Sequence, residues 1–462
     1  MPDHPYDRIP ELAGLASYED AARIGYSVDE NVARLLRYHW TERRLMAVLV
    51  AHLAAEPVWE VKCAMALHQW QGAEHVSALR ARIAEMRHPV PPLDVAPDAA
   101  LDRFLAELLH ASSTAELLAG VYGVAYPALA DAYREHIART NPLVDHPTRR
   151  LLGVALTETE QAIAWGRAAL DVVRDASADE ARDAEAWSSH LRALLDAAGG
   201  IAGDRPVVPS SDATPLRSAK PFTPDFHPRR DERFGGSYNF EFPPHLVYNT
   251  EGVPDDERNL ALICKRALEM DVPEMMASFI TERAGQPWEF HHDYSRQLWD
   301  EARHAMMGTV ALEARGVDWK AELPLNISFA LRLNLHATPL ERQVMLYAIE
   351  QSLMPAETGK RFEYETAKAA GDELSAHFHD YDWADEVLHA QIGRRMLRRD
   401  GITREDAIER AAAIHEKTWA ALEQYRSRAP QVNWWPEFVR RVLGHEGSDV
   451  QIGAERPTVI AE

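Results

Sequence analysis

Apolar residues recur every three or four positions along most of the chain, which is the spacing of one face of an α-helix. Helix start signals precede several of these segments: capping boxes at Ser27-x-x-Glu30 and Ser113-x-x-Glu116, and Thr338-Pro339-x-Glu341 with proline at the first helical position. The pattern predicts an all-α protein. The expected helices cover residues 28–55, 59–86, 98–111, 114–138, 147–173, 178–199, 255–284, 288–315, 339–370, 383–399 and 403–427.

A stretch rich in proline, glycine and aromatic residues interrupts this pattern between residues 201 and 250. Its length and its aromatic side chains predict a connecting segment that packs over a surface. The sequence therefore divides into a helical domain at 1–200, the connecting segment at 201–250, a second helical domain at 251–430 and a C-terminal tail at 431–462. Residues 316–338 are expected to form a long crossover between two helices of the second domain.

One motif, D-E-x-x-H-A-x-x-G, occurs twice, beginning at Asp300 and at Asp385. On a helix, a residue and its third neighbour lie on one face about one turn apart, so each Glu and His pair can reach the same point. Two such helices facing each other would direct four side chains to a shared centre. These side chains are Glu301, His304, Glu386 and His389. The pattern is typical of a di-iron or di-manganese four-helix bundle, which also takes one Glu from each of two further helices.

The positions of predicted turns indicate the two further glutamates. Counting back from the turn near Gly285 leads to Glu274, whose charge lies in an apolar stretch and is costly there unless it is paired or metal-bound. Counting back from Gly371, along a helix expected to be continuous from Leu340 to about Ala370, leads to Glu357. Spacing alone leaves other candidates open. They are Asp271, Glu350 and Glu363, with His379 as an additional histidine.

Residues flanking the motif have expected roles around a metal centre. A ligating histidine normally donates its other ring N–H to a carboxylate, which orients the ring and raises its basicity, and Asp300 and Asp385 are the candidates. Small residues on the same helix faces would allow the helices to share a metal pair about 3.5–4 Å apart. These residues are Ala305, Gly308, Ala390 and Gly393.

The chain also contains a weak internal repeat. An offset of 229 residues places Trp59-Glu60 on Trp288-Glu289 and His75 on His304, and an offset of 228 residues places Glu158 on Glu386. This pattern predicts a tandem duplication. The first copy would keep only His75 and Glu158 of the six proposed ligands. The other four positions are occupied by Leu45, Gly72, Leu129 and Gln161.

The repeated Asp-Glu-x-x-His motif makes residues from about 255 to 400 resemble the ferritin-like di-iron carboxylate proteins. This group includes ribonucleotide reductase small subunits, bacterial multicomponent monooxygenases, stearoyl carrier desaturases and arylamine N-oxygenases. The resemblance implies two tandem ferritin-like four-helix bundles, the N-terminal one with degenerate ligands. Arg303 matches the D-E-x-R-H form common in the oxygenase branch, whereas Leu388 departs from it, so the subfamily stays open.

The resemblance also implies a ligand set and a chemistry. Its metal ligands would be Glu274, Glu301, His304, Glu357, Glu386 and His389, with Glu301 and Glu386 as catalytic candidates. Four carboxylates and two imidazoles suit two Fe, two Mn or a mixed Mn/Fe pair better than copper or structural zinc. We expect a di-iron oxidase or oxygenase that uses O2 to oxidise a small organic substrate, with an external electron donor. The alternative is an iron-storing or manganese-catalase-like protein without an organic substrate.

Charge and composition narrow the possible partners and location. The formal charge of −22 argues against nucleic acid as a partner. The longest apolar run, from about Leu45 to Ala55, is too short to span a membrane. With only two cysteines and an N-terminus that lacks signal-peptide features, a cytoplasmic protein without a disulfide framework is expected. A homodimer is compatible with these features.

Overall fold

The computed structural model describes residues 4–206 and 215–448, and within them all regular secondary structure is helical. The predicted all-α class is therefore confirmed. The chain forms two compact units. Unit 1 comprises the described parts of Met1–Val48 and Gln71–Thr223, and unit 2 comprises those of Leu49–Trp70 and Pro224–Glu462. Residues 49–70 thus belong to the same unit as the second half of the chain.

The first half of the chain contains eight α-helices in its described part. They are α1 (Tyr18–Ala21), α2 (Val28–Leu53), α3 (Trp59–Met86), α4 (Ala99–Glu107), α5 (Thr114–Gly120), α6 (Tyr126–Arg139), α7 (His146–Ala176) and α8 (Ala178–Ala197). A π-helical turn at Val121–Ala125 joins α5 to α6. Short 3-10 helices lie at Pro5–Arg8, Glu11–Gly14 and Leu108–His110.

The second half supplies the remaining helices of the described chain. They are α9 (Pro244–Val247), α10 (Asp255–Leu268), α11 (Asp271–Glu282), α12 (Trp288–Glu313), α13 (Trp319–Glu322), α14 (Ser328–His336), α15 (Pro339–Ser352), α16 (Lys360–Ala369), α17 (Glu373–Arg399), α18 (Arg404–Ala421) and α19 (Trp435–Leu443). In unit 2, α12 packs against α10, α11 and α17, and α17 also packs against α15 and α16. Between Leu422 and Arg428 the chain continues as a 3-10 helix.

Two of the three predicted capping boxes form in full. Thr338 accepts from the backbone N–H of Glu341 while the Glu341 side chain accepts from the backbone of Thr338, and Ser27 and Glu30 make the same reciprocal pair. At α5, Ser113 accepts from the Glu116 backbone, but the Glu116 carboxylate accepts from the backbone N–H of Ser112 instead. Local sequence therefore specifies these helix starts well.

Two predicted helices are broken in the structure. The helix expected over residues 255–284 is interrupted between α10 and α11, and Pro273 lies in the first turn of the new helix, where a missing backbone N–H costs nothing. The helix expected over 339–370 ends at Ser352 and restarts at Lys360. Pro355 lies in this second break and cannot donate a helical hydrogen bond. Each break changes which side chains lie on a given face further along the chain.

The connecting segment contributes to the core of unit 2. Phe234 and Phe240 are buried, and Phe240 packs with Ile327, Leu331 and Leu422. The predicted tail forms α19, whose Trp435 is fully buried and donates to Glu257. Residues 207–214 of the connecting segment and 449–462 of the tail lie outside the described residues. Among the helices that are described, none combines the length and apolar character needed to cross a membrane.

Candidate metal centre

Close packing of helices α10, α12, α15 and α17 surrounds a buried polar centre in unit 2. A Cβ atom at Gly308 of α12 would lie 2.3 Å from the backbone nitrogen of Ala267 on α10. A Cβ at Gly393 of α17 would lie 2.7 Å from Cδ2 of Tyr347 on α15. An added Cβ at either position would therefore force the neighbouring helix or side chain to move.

The first group of candidate ligands combines three carboxylates with one imidazole. The group consists of Glu301, Glu350, Glu386 and His389, all of which are buried. Each residue offers one ligand atom, and these four atoms lie within 4.8 Å of one another. His389 Nδ1 lies 3.2 Å from Glu301 Oε1 and 3.2 Å from Glu386 Oε2. Gln297 donates to Glu350 Oε1 at 2.9 Å. This group offers oxygen and nitrogen donors from three different helices.

A second group lies beside it and shares two of its carboxylates. Glu269, Glu301 and His304 present ligand atoms within 4.8 Å of one another, as do His304, Asp382 and Glu386. His304 Nδ1 is 3.2 Å from Asp382, 3.8 Å from Glu301 and 3.9 Å from both Glu269 and Glu386. Glu301 and Glu386 therefore belong to both groups.

The two motif aspartates orient the histidines in a crossed arrangement. His304 Nε2 lies 3.1 Å from Asp385 Oδ2, and His389 Nε2 lies 3.3 Å from Asp300 Oδ2, so each histidine pairs with the aspartate of the opposite helix. Arg303 donates to both aspartates, at 2.5 Å to Asp300 and 2.8 Å to Asp385. With Nε2 held in this way, Nδ1 of each ring is directed at the carboxylates of the centre.

Two buried cations lie on the side of the second group. Arg266 is 2.7 Å from Glu269 and 2.7 Å from Asp382. Lys360, the first residue of α16 and fully buried, has its ammonium 3.0 Å from Asp382 Oδ2 and 2.9 Å from Glu386 Oε1. Sequence reasoning did not anticipate either residue, because neither belongs to the motif.

The electrostatics of the centre favour imidazolium next to carboxylate. Burial by itself would lower the pKa of His304, but Asp382, Asp385 and Glu301 raise it to about 10. Burial and the neighbouring Glu386 and Glu301 raise the pKa of Glu350 well above its usual value. Carboxylates crowded this closely retain a proton or attract a cation, because like charges at short distance are costly in a buried site.

The structure does not bring Glu274 and Glu357 to this centre, which corrects two of the six predicted ligands. Glu274 is fully buried, but its carboxylate forms ion pairs with Lys62 and Arg230. Glu357 is exposed in the segment between α15 and α16. Both predictions assumed continuous helices. Glu274 instead lies in the first turn of α11, just after the break that ends α10, and Glu357 lies within the break between α15 and α16.

Glu269 and Glu350 lie at the centre in place of the two predicted glutamates, and each stands at the end of a helix that one of these breaks terminates. Glu269 caps the C-terminal end of α10, and Glu350 lies in the last turn of α15. Glu350 is one of the alternatives that the spacing leaves open, whereas Glu269 is not among them. The prolines after each residue, Pro273 and Pro355, were the available signals that a helix ends nearby.

The other open alternatives have separate surroundings. Asp271 lies 3.6 Å from Arg230 and accepts from the backbone N–H of Phe329. Glu363 pairs with Lys265 and Arg266, and together with His379 and Asp382 it forms a further buried group of close ligand atoms. Arg266 already contacts both carboxylates of that group, so it is less suited to a metal than the two groups described above.

The residues present fit a divalent metal. His304 Nδ1 and Glu350 Oε2 are buried and make no hydrogen bond of good geometry, although Asp382 lies 3.2 Å from His304 Nδ1. Buried polar atoms are normally satisfied, and a coordinated cation would satisfy these two. This all-α chain therefore contains buried clusters of carboxylates and imidazoles that could hold a metal ion.

Unit 1 contains a smaller buried polar cluster. His75 Nδ1 is 2.9 Å from Glu42, and Nε2 is 2.8 Å from Glu158, so the ring lies between two carboxylates. Tyr133 donates to Glu42 at 2.8 Å. The two carboxylates contact opposite nitrogens of one ring, so both nitrogens are already paired. The cluster is therefore an ion-pair arrangement around His75, and its carboxylates do not face a common metal position.

Comparison of the chain with protein-family models, curated proteins and solved structures finds no match.

Proposed function

We propose that this protein is a non-haem dinuclear metal enzyme of the ferritin-like type, which activates O2 to oxidise a small organic substrate. The observation that carries the proposal is the arrangement of the two Glu-x-x-His segments between two further glutamates. Glu269 groups with Glu301 and His304, and Glu350 groups with Glu301, Glu386 and His389, with ligand atoms within 4.8 Å of one another in each group. The ligand set is then Glu269, Glu301, His304, Glu350, Glu386 and His389. Two Fe, two Mn or a mixed pair suit these oxygen and nitrogen donors.

The charges of the ligand set support this reading. The four glutamates of the ligand set, taken without the neighbouring Asp382, Arg266 and Lys360, carry the charge of two divalent ions, and such a pair supplies the electrons for O2 reduction when it is bound. Asp300 and Asp385 hold the two imidazoles so that Nδ1 faces the carboxylates. Burial of Glu301, Glu350 and Glu386 excludes bulk water from the centre, which strengthens every charge interaction inside it. Electrons for repeated turnover would come from an external donor.

The cluster in unit 1 supports the proposed duplication. His75 and Glu158 are equivalent to His304 and Glu386 in the repeat. Within each pair the two side chains are neighbours: His75 Nε2 lies 2.8 Å from Glu158 Oε2, and His304 Nδ1 lies 3.9 Å from Glu386 Oε1. The first copy would be a bundle in which an imidazolium between carboxylates replaces the metal. We propose that this copy is a scaffold for the metal-binding one.

The test of the metal centre is the iron content of the purified protein after anaerobic loading with Fe(II). The wild type should retain about two iron ions per chain, as expected for this class. Glu350→Gln should lose at least one of them, whereas Glu357→Gln, the matched control at the exposed position, should bind as the wild type does. Little bound iron in the wild type, or equal loss in both variants, would contradict the proposal.

Exposure of the loaded protein to O2 then separates the functions. A transient optical absorption with consumption of O2 supports an oxidase or oxygenase. Oxygen release from added hydrogen peroxide would favour a catalase-like reaction. Uptake of many iron ions per chain into a large hollow assembly would favour storage.

A further inference from the structure

The two candidate metal positions differ in the fixed charges that surround them. Among the described residues, neither Glu301 nor Glu350 forms an ion pair with lysine or arginine. Glu386 belongs to both positions: its Oε2 lies 3.2 Å from His389 Nδ1, whereas its Oε1 lies on the side of His304 and contacts Lys360. The position beside His304 is different, since Asp382 contacts both Arg266 and Lys360. Any cation that enters there approaches two resident positive charges.

Lys360 is the closer competitor of a second metal. Its ammonium is 2.9 Å from Glu386 Oε1, the oxygen that also lies 3.9 Å from His304 Nδ1. It is fully buried, so neither solvent nor mobile counter-ions screen it. As the first residue of α16, directly after the broken segment, it enters the centre from a helix that carries none of the proposed ligands.

The charge balance indicates how many divalent ions the centre holds easily. The carboxylates around the two positions are those of Glu269, Glu301, Glu350, Asp382 and Glu386. Arg266 and Lys360 offset two of these five negative charges and leave three. One divalent ion reduces the remainder to a single negative charge, whereas a second makes the buried centre positive, which is unfavourable at low dielectric.

We propose that the centre binds its two metals in sequence and that Lys360 sets the difference between them. The first ion binds tightly to Glu301, Glu350, Glu386 and His389. The second binds more weakly to Glu269, Glu301, His304 and Oε1 of Glu386, the oxygen that the ammonium of Lys360 also contacts. This inference rests on the proposed dinuclear centre and adds that its second position is regulated by a lysine, so that the one-metal form is the stable form at low metal concentration.

The test is a titration with Mn(II), in which electron paramagnetic resonance measures the free ion. The wild type should bind one Mn(II) per chain tightly and a second about tenfold or more weakly. In Lys360→Met, which keeps the length of the side chain and removes its charge, the second affinity should rise by about tenfold while the first changes little. The matched control is Lys265→Met, which removes a neighbouring half-buried ammonium whose carboxylate partner is Glu363. It should leave both affinities unchanged.

Two glutamine variants assign the phases. Glu350→Gln should remove the tight phase, and Glu269→Gln should remove only the weak one. Circular dichroism checks the fold of each variant, and Lys360→Gln, which retains hydrogen bonding to the carboxylates, replaces the methionine variant if that variant does not fold.

Several outcomes would overturn the inference. They are equal affinities for two ions in the wild type, an affinity ratio that the Lys360 variants leave unchanged, and loss of the tight phase in Glu269→Gln. Absence of any bound Mn(II) in the folded wild type would instead overturn the metal centre itself.

Discussion

The approach of α10 to α12 at Gly308 makes a sharp prediction for Gly308→Ala. The added Cβ would lie 2.3 Å from the backbone nitrogen of Ala267, 2.7 Å from its Cα and 2.8 Å from the backbone carbon of Arg266. All three are main-chain atoms, so no side chain can rotate away. To reach an ordinary separation of 3.4 Å, the two helices must move apart by about 1 Å at this point.

The expected cost follows from two opposing terms. Overpacking a core by one methyl group costs about 1–3 kcal/mol, and a clash with backbone lies at the upper end. Replacing glycine by alanine inside a helix returns about 1 kcal/mol. The net destabilisation is then about 2 kcal/mol, which lowers the melting temperature of a unit of this size by about 4–8 °C.

The same displacement should weaken the second metal position selectively. Arg266 and Glu269 lie at the end of α10, whereas the ligands of the first position lie on α12, α15 and α17. Metal ligands tolerate errors of about 0.2 Å, so a shift of about 1 Å in Glu269 is large. We expect Gly308→Ala to lose the weaker phase of a Mn(II) titration and to keep the tighter one.

Differential scanning calorimetry and the titration together check this reasoning. Gly153→Ala is the control, because Gly153 lies within helix α7 of unit 1 and its added Cβ meets nothing within 4 Å. It should be neutral or stabilising by up to about 1 kcal/mol. A Gly308→Ala protein as stable as the wild type, with both metal phases intact, would refute the argument from close packing.

Two further predictions concern buried ion pairs. Glu274→Gln removes the carboxylate that pairs with the buried charges of Lys62 and Arg230, and it should destabilise unit 2 by about 3–5 kcal/mol in denaturant unfolding. Its metal content should stay that of the wild type. Loss of metal from a folded Glu274→Gln variant would count against a purely structural role. Burial by itself would lower the pKa of His75, but its two carboxylate partners raise it to about 9, above the value of about 6.5 in an unfolded chain. The stabilisation is therefore complete below about pH 6.5 and is lost as the pH rises through about 9. The urea midpoint of unit 1 should fall over this range in the wild type and much less in His75→Gln, and equal slopes in the two proteins would contradict the assignment.

Local features of the sequence account for much of the helical structure. The apolar spacing and the capping boxes at Ser27 and Thr338 act over one or two turns, so helix existence and several helix starts could be predicted without any knowledge of packing. The Glu-x-x-His pairs are also local, because i and i+3 residues share a helix face in any protein. The structure accordingly brings Glu301, His304, Glu386 and His389 together.

Tertiary structure decided the rest of the centre. The predictions of Glu274 and Glu357 counted residues along helices that the chain breaks, and after a break of a few residues the facing side chains depend on how the next helix packs. The crossed pairing of Asp300 with His389 and of Asp385 with His304 likewise depends on the register of α12 against α17.

The sequence by itself thus determined the all-α class and the two Glu-x-x-His pairs, because both depend on interactions within a few residues. It did not determine that Glu269 and Glu350 complete the centre or that Lys360 enters it. These side chains meet only where four helices approach closely enough to require glycine at Gly308 and Gly393. Contacts between distant segments of the chain, which no local pattern encodes, decided that geometry.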